Sequence, residues 1–327
     1  MSKVFKRKLY MCSTPYHLLY ALVKEINHQD ETCIYLSSYD HKIMDYYEKV
    51  LKSTSFEKIN FFTRRRKKIE DYLFLGFLKD RLEYKKLFLG KSEDELLIFP
   101  WNINTLYIHV NYFFKKHSNI SFIEDGITAH QIKSKKKYFT FLKKYIYRIS
   151  DYKDYKKVNN VFVNDISKYD EKIFGLCKMH EESFEGIFNS ISNEDKEKIF
   201  NLFSGEISYE KEIKKNFNGK SIIILTQPLS EDGYEKESSK KEIYNKIVNK
   251  YLSMDYVVYL KKHPRDLSEY AVENDIRVTV LDKFLPSELL AVSNIEFDIA
   301  LGICTSAINN INAIDKINLK PDYFYNR

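Results

Sequence analysis

The stretch "SIIILTQ" (residues 221–227) is apolar at four successive positions and becomes polar only where it ends. A strand with one solvated face alternates apolar and polar residues, whereas a parallel strand covered on both faces is apolar throughout. The stretch therefore predicts a buried parallel strand. Helical spacing follows it in "SSKKEIYNKIVNKYLS" (238–253) and also marks "PYHLLYALVKEIN" (15–27). This alternation of strands and helices indicates an α/β fold.

Nine further stretches share the β-branched and aromatic character of a strand. They are 8–13, 33–37, 59–62, 95–99, 120–125, 160–165, 255–261, 276–282 and 297–302. A chain of 327 residues exceeds the size at which one core stops growing, so two domains are expected. The segment 187–220 is polar and charged, and it places the boundary between domains 1–215 and 216–327. Ligands of open parallel sheets bind beyond the carboxyl ends of the strands, so those ends are the candidate site.

Composition excludes several classes of protein. The chain is 44% hydrophobic and 30% charged, and it contains no apolar run long enough to span a membrane and no recognisable signal peptide. Its four cysteines are scattered, with no C-x-x-C, and no H-x-x-x-H or D-x-D motif is present. We therefore expect a cytoplasmic protein without a disulfide framework or a metal site.

The formal net charge of +7 is unevenly distributed. Residues 64–68 read "RRRKK", and 133–157 carries ten Lys/Arg against two Asp among Tyr, Phe and Ile. Such segments form solvated helix faces, or they bind anionic membrane surfaces or steer an anionic substrate. Nucleic acid is disfavoured because no recognised reader motif accompanies the charge.

Two strand ends in the first half carry candidate residues. Ser13 and Thr14 precede Pro15 at a helix start, where they form either a simple N-cap or an anion site. His17 lies inside that helix and is expected to pack rather than react. Glu124-Asp125-Gly126 follows another strand: adjacent carboxylates can raise a pKa, although Asp-Gly is also a common turn.

Two strand ends in the second half carry an acidic loop and an imidazole. Gln227, Ser230 and a second acidic pair, Glu231-Asp232, follow 221–227 as either substrate ligands or an ordinary polar loop. In "YLKKHPRD" (259–266), Pro264 ends the strand and holds His263 in extended conformation beside Lys261, Lys262 and Arg265. These cations should lower the pKa of His263 unless an anion such as phosphate binds there.

Two helix starts complete the set. Pro286-Ser287-Glu288 places a carboxylate in a first helical turn, which suits either the helix dipole or ribose hydroxyls. Thr305-Ser306 follows a strand and is expected to begin a helix that could bind phosphate. A G-x-G-x-x-G fingerprint is absent, which disfavours hydride chemistry.

In this ordered set, the sequence resembles the bacterial sialyltransferases of glycosyltransferase family 52. The resemblance is carried by Glu124-Asp125-Gly126, His263-Pro264, Pro286-Ser287-Glu288 and Thr305-Ser306, with "CSTPYHLL" and "LTQPLSEDGY". It implies a GT-B fold, in which two Rossmann-like domains face each other across a cleft. The N-terminal domain would take the acceptor and the C-terminal domain CMP-sialic acid, with inversion and without a metal or other cofactor.

The resemblance also implies residue roles. His263 would assist the departing CMP phosphate, Glu288 would hold the ribose, and Thr305 and Ser306 the phosphate. Asp232 is favoured as the base, and Asp125 is kept beside it. The remaining candidate donor ligands are Gln227, Ser230, Lys261, Pro264, Ser13 and Thr14, and the acceptor-side candidates are Glu124 and Gly126.

The expected acceptor is a galactose-type hydroxyl of a lipooligosaccharide or capsule. A lipid-linked acceptor at the inner face of the cytoplasmic membrane would suit contact through 133–157, and a homodimer is left open.

Two alternative functions remain. One is a polysialyltransferase or another GT-B enzyme that transfers a sugar or polyol phosphate. The other is a basic, non-enzymatic peripheral protein that binds polyanions.

Overall fold

The computed structural model describes residues 7–28, 30–52, 56, 58–67, 69–70, 75–88, 94–99, 108–125, 156–169, 177–204, 219–293, 295–305 and 307–319. The chain divides into two compact units, Met1–Ser192 and Asn193–Arg327. The boundary expected near 215 falls in a segment outside the described residues. No helix in the described part of the chain is both long and apolar enough to span a membrane.

The N-terminal unit is built on a seven-stranded sheet in the order β3-β2-β1-β4-β5-β6-β7. Its strands are β1 (Lys8–Cys12), β2 (Thr32–Ser38), β3 (Ile59–Arg65), β4 (Glu95–Ile98), β5 (Ile120–Ile123), β6 (Val158–Val163) and β7 (Lys178–Glu181). The helices are α1 (Pro15–Glu25), α2 (His41–Lys52), α3 (Leu75–Phe88), α4 (Ile108–Lys116) and α5 (Phe184–Ser190). Every strand pairing described in this sheet is parallel.

The C-terminal unit is built on a five-stranded parallel sheet in the order β10-β9-β8-β11-β12. Its strands are β8 (Ser221–Leu225), β9 (Val257–Lys261), β10 (Val278–Leu281), β11 (Phe297–Ile303) and β12 (Ala313–Leu319). The helices are α6 (Asn193–Ser204), α7 (Glu237–Leu252) and α8 (Ser287–Ala291), with short 3₁₀ turns at Ala271–Asn274 and Ala307–Asn310. All five residues of β8 are buried, as a central strand covered on both faces requires.

The ten predicted strands are all present, but β7 and β12 were missed. Both lie at sheet edges, and each pairs with a single neighbouring strand among the described residues. The sequence of β7 is "KMHE", and β12 reads "AIDKINL" with exposed charges, so neither resembles a buried strand. The expected helix after Thr305 is also wrong, because a single 3₁₀ turn stands there.

The three arginines of the cluster "RRRKK" are held in ion pairs. Arg64 and Arg66 are buried and both bond the carboxylate of Asp80, which is also fully buried. Arg65 pairs with Asp45 and Glu48. The basic segment 133–157 lies outside the described residues except at its last two positions, so the membrane contact expected there stays a prediction.

Candidate active site

The carboxyl ends of β8 and β9 lie side by side in the C-terminal unit. Leu225 is in register with Lys261, and the backbone N–H of Thr226 donates to the carbonyl of Lys261 at 3.0 Å. The loop that begins at Gln227 therefore leaves the sheet next to the turn that carries His263. This adjacency brings together residues that are more than thirty positions apart in sequence.

A backbone hydrogen bond selects the tautomer of the neutral His263 ring. The N–H of Arg265 donates to Nδ1 at 3.1 Å, so Nδ1 acts as an acceptor. In the neutral imidazole the proton then resides on Nε2, which is left as the donor. The N–H of His263 donates to Oγ1 of Thr226 at 3.2 Å, and its carbonyl accepts from the N–H of Asp266 at 2.8 Å. Pro264 completes this turn.

The surroundings of His263 favour the neutral ring. Burial, and after it the cations Arg265 and Lys261, lower the pKa of His263 to about 4, although Asp232 and Asp266 act in the opposite direction. This is the direction that the basic neighbours predicted from the sequence. An anion bound against the ring would reverse the shift, because it favours the imidazolium.

Asp232 and Arg265 form an ion pair beside this turn. The guanidinium meets both carboxylate oxygens, at 2.5 and 3.0 Å, and the Arg265 side chain is 55% exposed. Arg265 thus contacts Asp232 through its side chain and His263 through its backbone. The predicted base and the predicted acid are held by one residue.

A buried ionic network supports both loops, and sequence reasoning missed it. The ammonium group of the fully buried Lys240 donates to Asp266 at 2.8 Å and to Glu231 at 2.7 and 2.9 Å. Asp266 also accepts from Thr226 Oγ1 at 2.5 Å and from the hydroxyl of Tyr270 at 2.8 Å. The network joins α7, the end of β8 and the His263 turn.

Hydrogen bonds keep the Glu231 carboxylate of this network ionised. Burial acts to raise the pKa of Glu231, but bonds from Lys240 and from the N–H of Leu267 outweigh it and lower the pKa to about 2. A sequence signal for the network existed. Lys240 occupies the same helical face as the buried residues Tyr244, Ile247 and Tyr251, where a lysine requires a partner.

The other loop candidates contact the protein's own backbone or side chains. The N–H of Gln227 donates to the hydroxyl of Tyr244 at 2.9 Å, and Ser230 donates to Glu231 at 3.0 Å. Lys261 is buried and donates to the carbonyls of Lys262 and Lys283, at 3.1 and 2.9 Å. Burial lowers its pKa to about 8.

Glu288 lies in the first turn of α8, as predicted. Its Oε1 accepts from the side-chain amide of Asn310 at 2.9 Å, and Ser287 donates to its Oε2 at 3.3 Å. Asn310 belongs to the 3₁₀ turn that follows Thr305, so this amide ties the candidate ribose ligand to the candidate phosphate loop.

Thr305 is buried at the end of β11 and is held by Asn318 of β12. Its N–H donates to Oδ1 of Asn318 at 3.2 Å, its carbonyl accepts from Nδ2 at 2.9 Å, and its Oγ1 accepts from the N–H of Ala307 at 3.2 Å. Gly302 lies so close that an added Cβ would be 2.3 Å from Thr305 Cγ2. Ser306 lies outside the described residues.

The N-terminal unit holds a second group of candidates. Thr14 caps α1, and its Oγ1 accepts from the N–H of His17 at 3.3 Å. The N–H of Ser13 donates to Nδ1 of His17 at 3.1 Å, so the ring proton lies on Nε2, which contacts Asp125 Oδ2 at 2.9 Å. His17 is buried and stacks on Phe99 with ring centroids 4.2 Å apart.

His17 is therefore packed, as expected, and in addition holds one oxygen of Asp125. That contact was missed, since the two residues are distant in sequence and only the pairing of strands brings them together. Glu124 is held separately, by the backbone and side-chain N–H groups of Asn164 at 2.6 and 2.9 Å. Gly126 lies outside the described residues.

The part of the chain that the structure describes contains no group of three His, Cys, Asp or Glu side chains arranged to hold a metal ion. Metal independence stays a prediction, since the undescribed residues also contain such side chains.

His263, the ion-paired Asp232 and the hydroxyl of Thr305 all follow strands of one parallel sheet. The model of glycosyltransferase family 52 matches residues 28–319, which shows that the chain belongs to that family and is a glycosyltransferase. An uncharacterized protein of Haemophilus influenzae is 26% identical over 290 residues, which are 88% of this chain and 81% of that protein.

Solved structures show the fold. The α/β-galactoside α-2,3-sialyltransferase of Photobacterium phosphoreum is similar with a TM-score of 0.55 and 13% identity, over 96% of this chain and 91% of that one. A 2,6-sialyltransferase of Photobacterium sp. JT-ISH-224, solved with CMP and lactose, gives 0.53 and 11%, over 95% and 71%. The UDP-GlcNAc 2-epimerase of Methanocaldococcus jannaschii gives 0.52 and 9%, over 93% and 80%. The predicted fold class, α/β of the GT-B type, is confirmed.

Proposed function

We propose that this glycosyltransferase moves sialic acid from CMP-sialic acid to a galactose-type hydroxyl of a bacterial lipooligosaccharide or capsule, without a metal. Membership of family 52 supports the proposal, and so does a fold shared with two sialyltransferases. The observation that carries it is the His263 turn, in which Nε2–H is the donor and Asp232 is held alongside by Arg265.

The proposed reaction is a direct displacement with inversion. The acceptor oxygen forms a bond to the anomeric carbon as the bond from that carbon to the CMP phosphate oxygen breaks. A carboxylate takes the acceptor proton, and the phosphate keeps the electron pair of the broken bond. His263 donates a hydrogen bond from Nε2 to the departing phosphate, whose charge favours the protonated ring.

Asp232 is the proposed base because it lies in the same pair of loops as His263. Its ion pair with Arg265 must open before a hydroxyl can approach, and the exposure of Arg265 allows this. Asp125 is the second candidate, and a specific observation supports it. His17 holds only one of its oxygens, in the unit that the family resemblance gives to the acceptor.

Glu288 binds the donor ribose in this proposal, and Thr305 and Ser306 bind its phosphate. Asn310 and Asn318 hold Glu288 and Thr305 in place. Contact of 133–157 with the cytoplasmic membrane face and formation of a homodimer belong to the same proposal. The polyanion-binding alternative loses support, since Arg64 and Arg66 of "RRRKK" are buried in ion pairs.

The test is release of CMP from CMP-sialic acid with lactose as acceptor and EDTA present. We expect acceptor-dependent release by the wild type and almost none by His263→Ala, with CMP still raising Tm in that variant. If Asp232 is the base, Asp232→Asn abolishes release and Asp125→Asn retains it. If Asp125 is the base, the pattern reverses and His17→Leu lowers release as well.

His117→Leu is the matched control for His17→Leu, since His117 is equally buried and its ring lies 4.4 Å from that of Phe88 between centroids. A wild type that neither releases CMP nor gains stability from CMP would contradict sialyl transfer. A gain in Tm with UMP but not CMP would indicate another sugar donor, and activity confined to sialylated acceptors would indicate a polysialyltransferase.

A further inference from the structure

Helix α3 has one buried and one exposed face, and ion pairs on the buried face fix its orientation. The carboxylate of Asp80 is fully buried between Arg64 and Arg66, and Glu83 bonds Arg64 at 2.6 Å. Leu87 and Phe88 are also buried. Both acidic residues of the helix therefore point inward, and the remaining charged residues of α3 are basic.

The outer face of α3 is apolar where a soluble helix is normally polar. Leu75, Leu78 and Leu82 are 50%, 53% and 66% exposed. Their spacing of three and four residues places them in one row on the helix surface. Ile69 is 63% exposed, and the ion pair of Lys79 with the neighbouring Glu70, at 2.7 Å, places it beside the helix.

Cations flank this row. Lys79, Arg81, Lys85 and Lys86 are all exposed. Lys79 pairs with Glu70, and Lys86 lies over the ring of Phe62 at 5.6 Å from its centroid. A helix with leucines on its outer face and lysines and arginines beside them matches the composition of helices that lie in the interface of anionic membranes.

We infer that the outer face of α3, formed by Leu75, Leu78, Lys79, Arg81, Leu82, Lys85 and Lys86, docks the protein on an anionic lipid surface. The leucines enter the boundary between headgroups and acyl chains, and the cations meet anionic headgroups. A second copy of the chain is a poorer occupant, because two such faces would bring their cations together. The inference concerns residues distinct from 133–157, and it does not depend on the reaction proposed above.

The test is cosedimentation of the full chain with vesicles of phosphatidylcholine alone and of phosphatidylcholine mixed with phosphatidylglycerol. Binding is expected only to the mixed vesicles and should weaken at high salt, because exposed charges are screened. The triple variant Leu75→Ser, Leu78→Ser, Leu82→Ser should bind at least about tenfold more weakly. The variant Arg81→Gln, Lys85→Gln should lose about fivefold per cation removed.

The matched control replaces three apolar residues of the other unit that are at least as exposed, in Leu267→Ser, Ile276→Ser, Ile314→Ser. This control should bind as the wild type does, and all variants should keep the wild-type Tm, since the side chains are exposed. Equal binding by the leucine variant and the wild type would overturn the inference, as would no binding to mixed vesicles at low salt. A wild-type dimer that the leucine variant converts to a monomer, without vesicle binding, would instead identify the face as a contact between copies.

Discussion

Thr226 is the residue through which the buried network reaches His263. Its hydroxyl donates to Asp266 and accepts from the His263 N–H. A single hydroxyl therefore links a buried carboxylate to the candidate acid. Thr226 is 2% exposed, so we expect its hydroxyl to position the turn rather than to bind a substrate.

Thr226→Val tests this role because valine keeps the shape and removes the hydroxyl. The N–H of His263 loses its acceptor, at a cost of about 1 kcal/mol, and the turn loses this tie to the end of β8. We expect kcat to fall about tenfold or more through misplacement of the ring. In an NMR titration, the pKa of His263 should move from about 4 toward its ordinary value, since less of the ring is buried.

The control is Thr32→Val, because Thr32 is a buried threonine of the other unit whose hydroxyl also donates to a carboxylate, that of Glu25, at 3.3 Å. It should lose some stability and leave both kcat and the His263 titration unchanged. An unchanged titration in Thr226→Val would show that the hydroxyl does not hold the turn. That result is independent of whether the enzyme uses CMP-sialic acid.

At the scale of elements, β11 and the turn after it are coupled by close packing. Gly302→Ala would place a methyl group 2.3 Å from Thr305 Cγ2, which no folded structure tolerates. Thr305 must then rotate, and the rotation breaks the bond from its Oγ1 to the Ala307 N–H. We expect a loss of about 1–3 kcal/mol from overpacking and a smaller rise of Tm with CMP.

Gly219→Ala is the comparison, since an added Cβ at Gly219 meets nothing within 4 Å. It should leave both Tm and the response to CMP unchanged. If Gly302→Ala is destabilised yet responds fully to CMP, the Thr305 turn does not bind the donor phosphate.

The elements that could be predicted from sequence are those in which every residue has the same surroundings. The strand β8 is buried on both faces, so its composition alone is diagnostic. The strand β12 has one pairing partner in the described part of the chain and carries exposed Asp315 and Lys316, so its pattern resembles that of a loop. The spacing of apolar residues in a sequence reflects which side chains are buried, and an edge strand such as β12 buries few of them.

The candidate site likewise contains residues that the sequence predicts and contacts that it does not. His263 and Glu288 stand next to proline and helix-start signals, which are local in sequence and could be found. The contacts of Lys240 with Asp266 and of His17 with Asp125 join residues 26 and 108 positions apart. Such contacts depend on which strands are neighbours, and a single sequence does not encode strand order in any local pattern.

At the scale of the whole molecule, His263 makes stability depend on pH. Its folded-state pKa of about 4 lies below the unfolded value near 6.5, so the unfolded chain binds the proton more readily between these values. The contribution is fully present above pH 6.5 and is lost as pH falls toward 4. We expect the Tm of the wild type to fall more steeply in this window than that of His263→Gln.

Differential scanning calorimetry from pH 7 to pH 4 would measure the two slopes, with His28→Gln, at an exposed histidine, as the control. Parallel curves for wild type and His263→Gln would mean that the ring is not buried in the neutral state. CMP should reduce the difference, because its phosphate favours the protonated ring.

The strand orders have a consequence for synthesis of the chain. β1 is flanked by β2 and β4, so the centre of the N-terminal sheet is complete once residue 98 has been made. In the C-terminal unit, β8 is flanked by β9 and β11, and β11 begins only at Phe297. On the ribosome the first unit can therefore fold while the second is still being translated. The apolar strand β8 must wait for β11, which is made about seventy residues later, and a premature stop before β11 would leave one side of β8 open to aggregation.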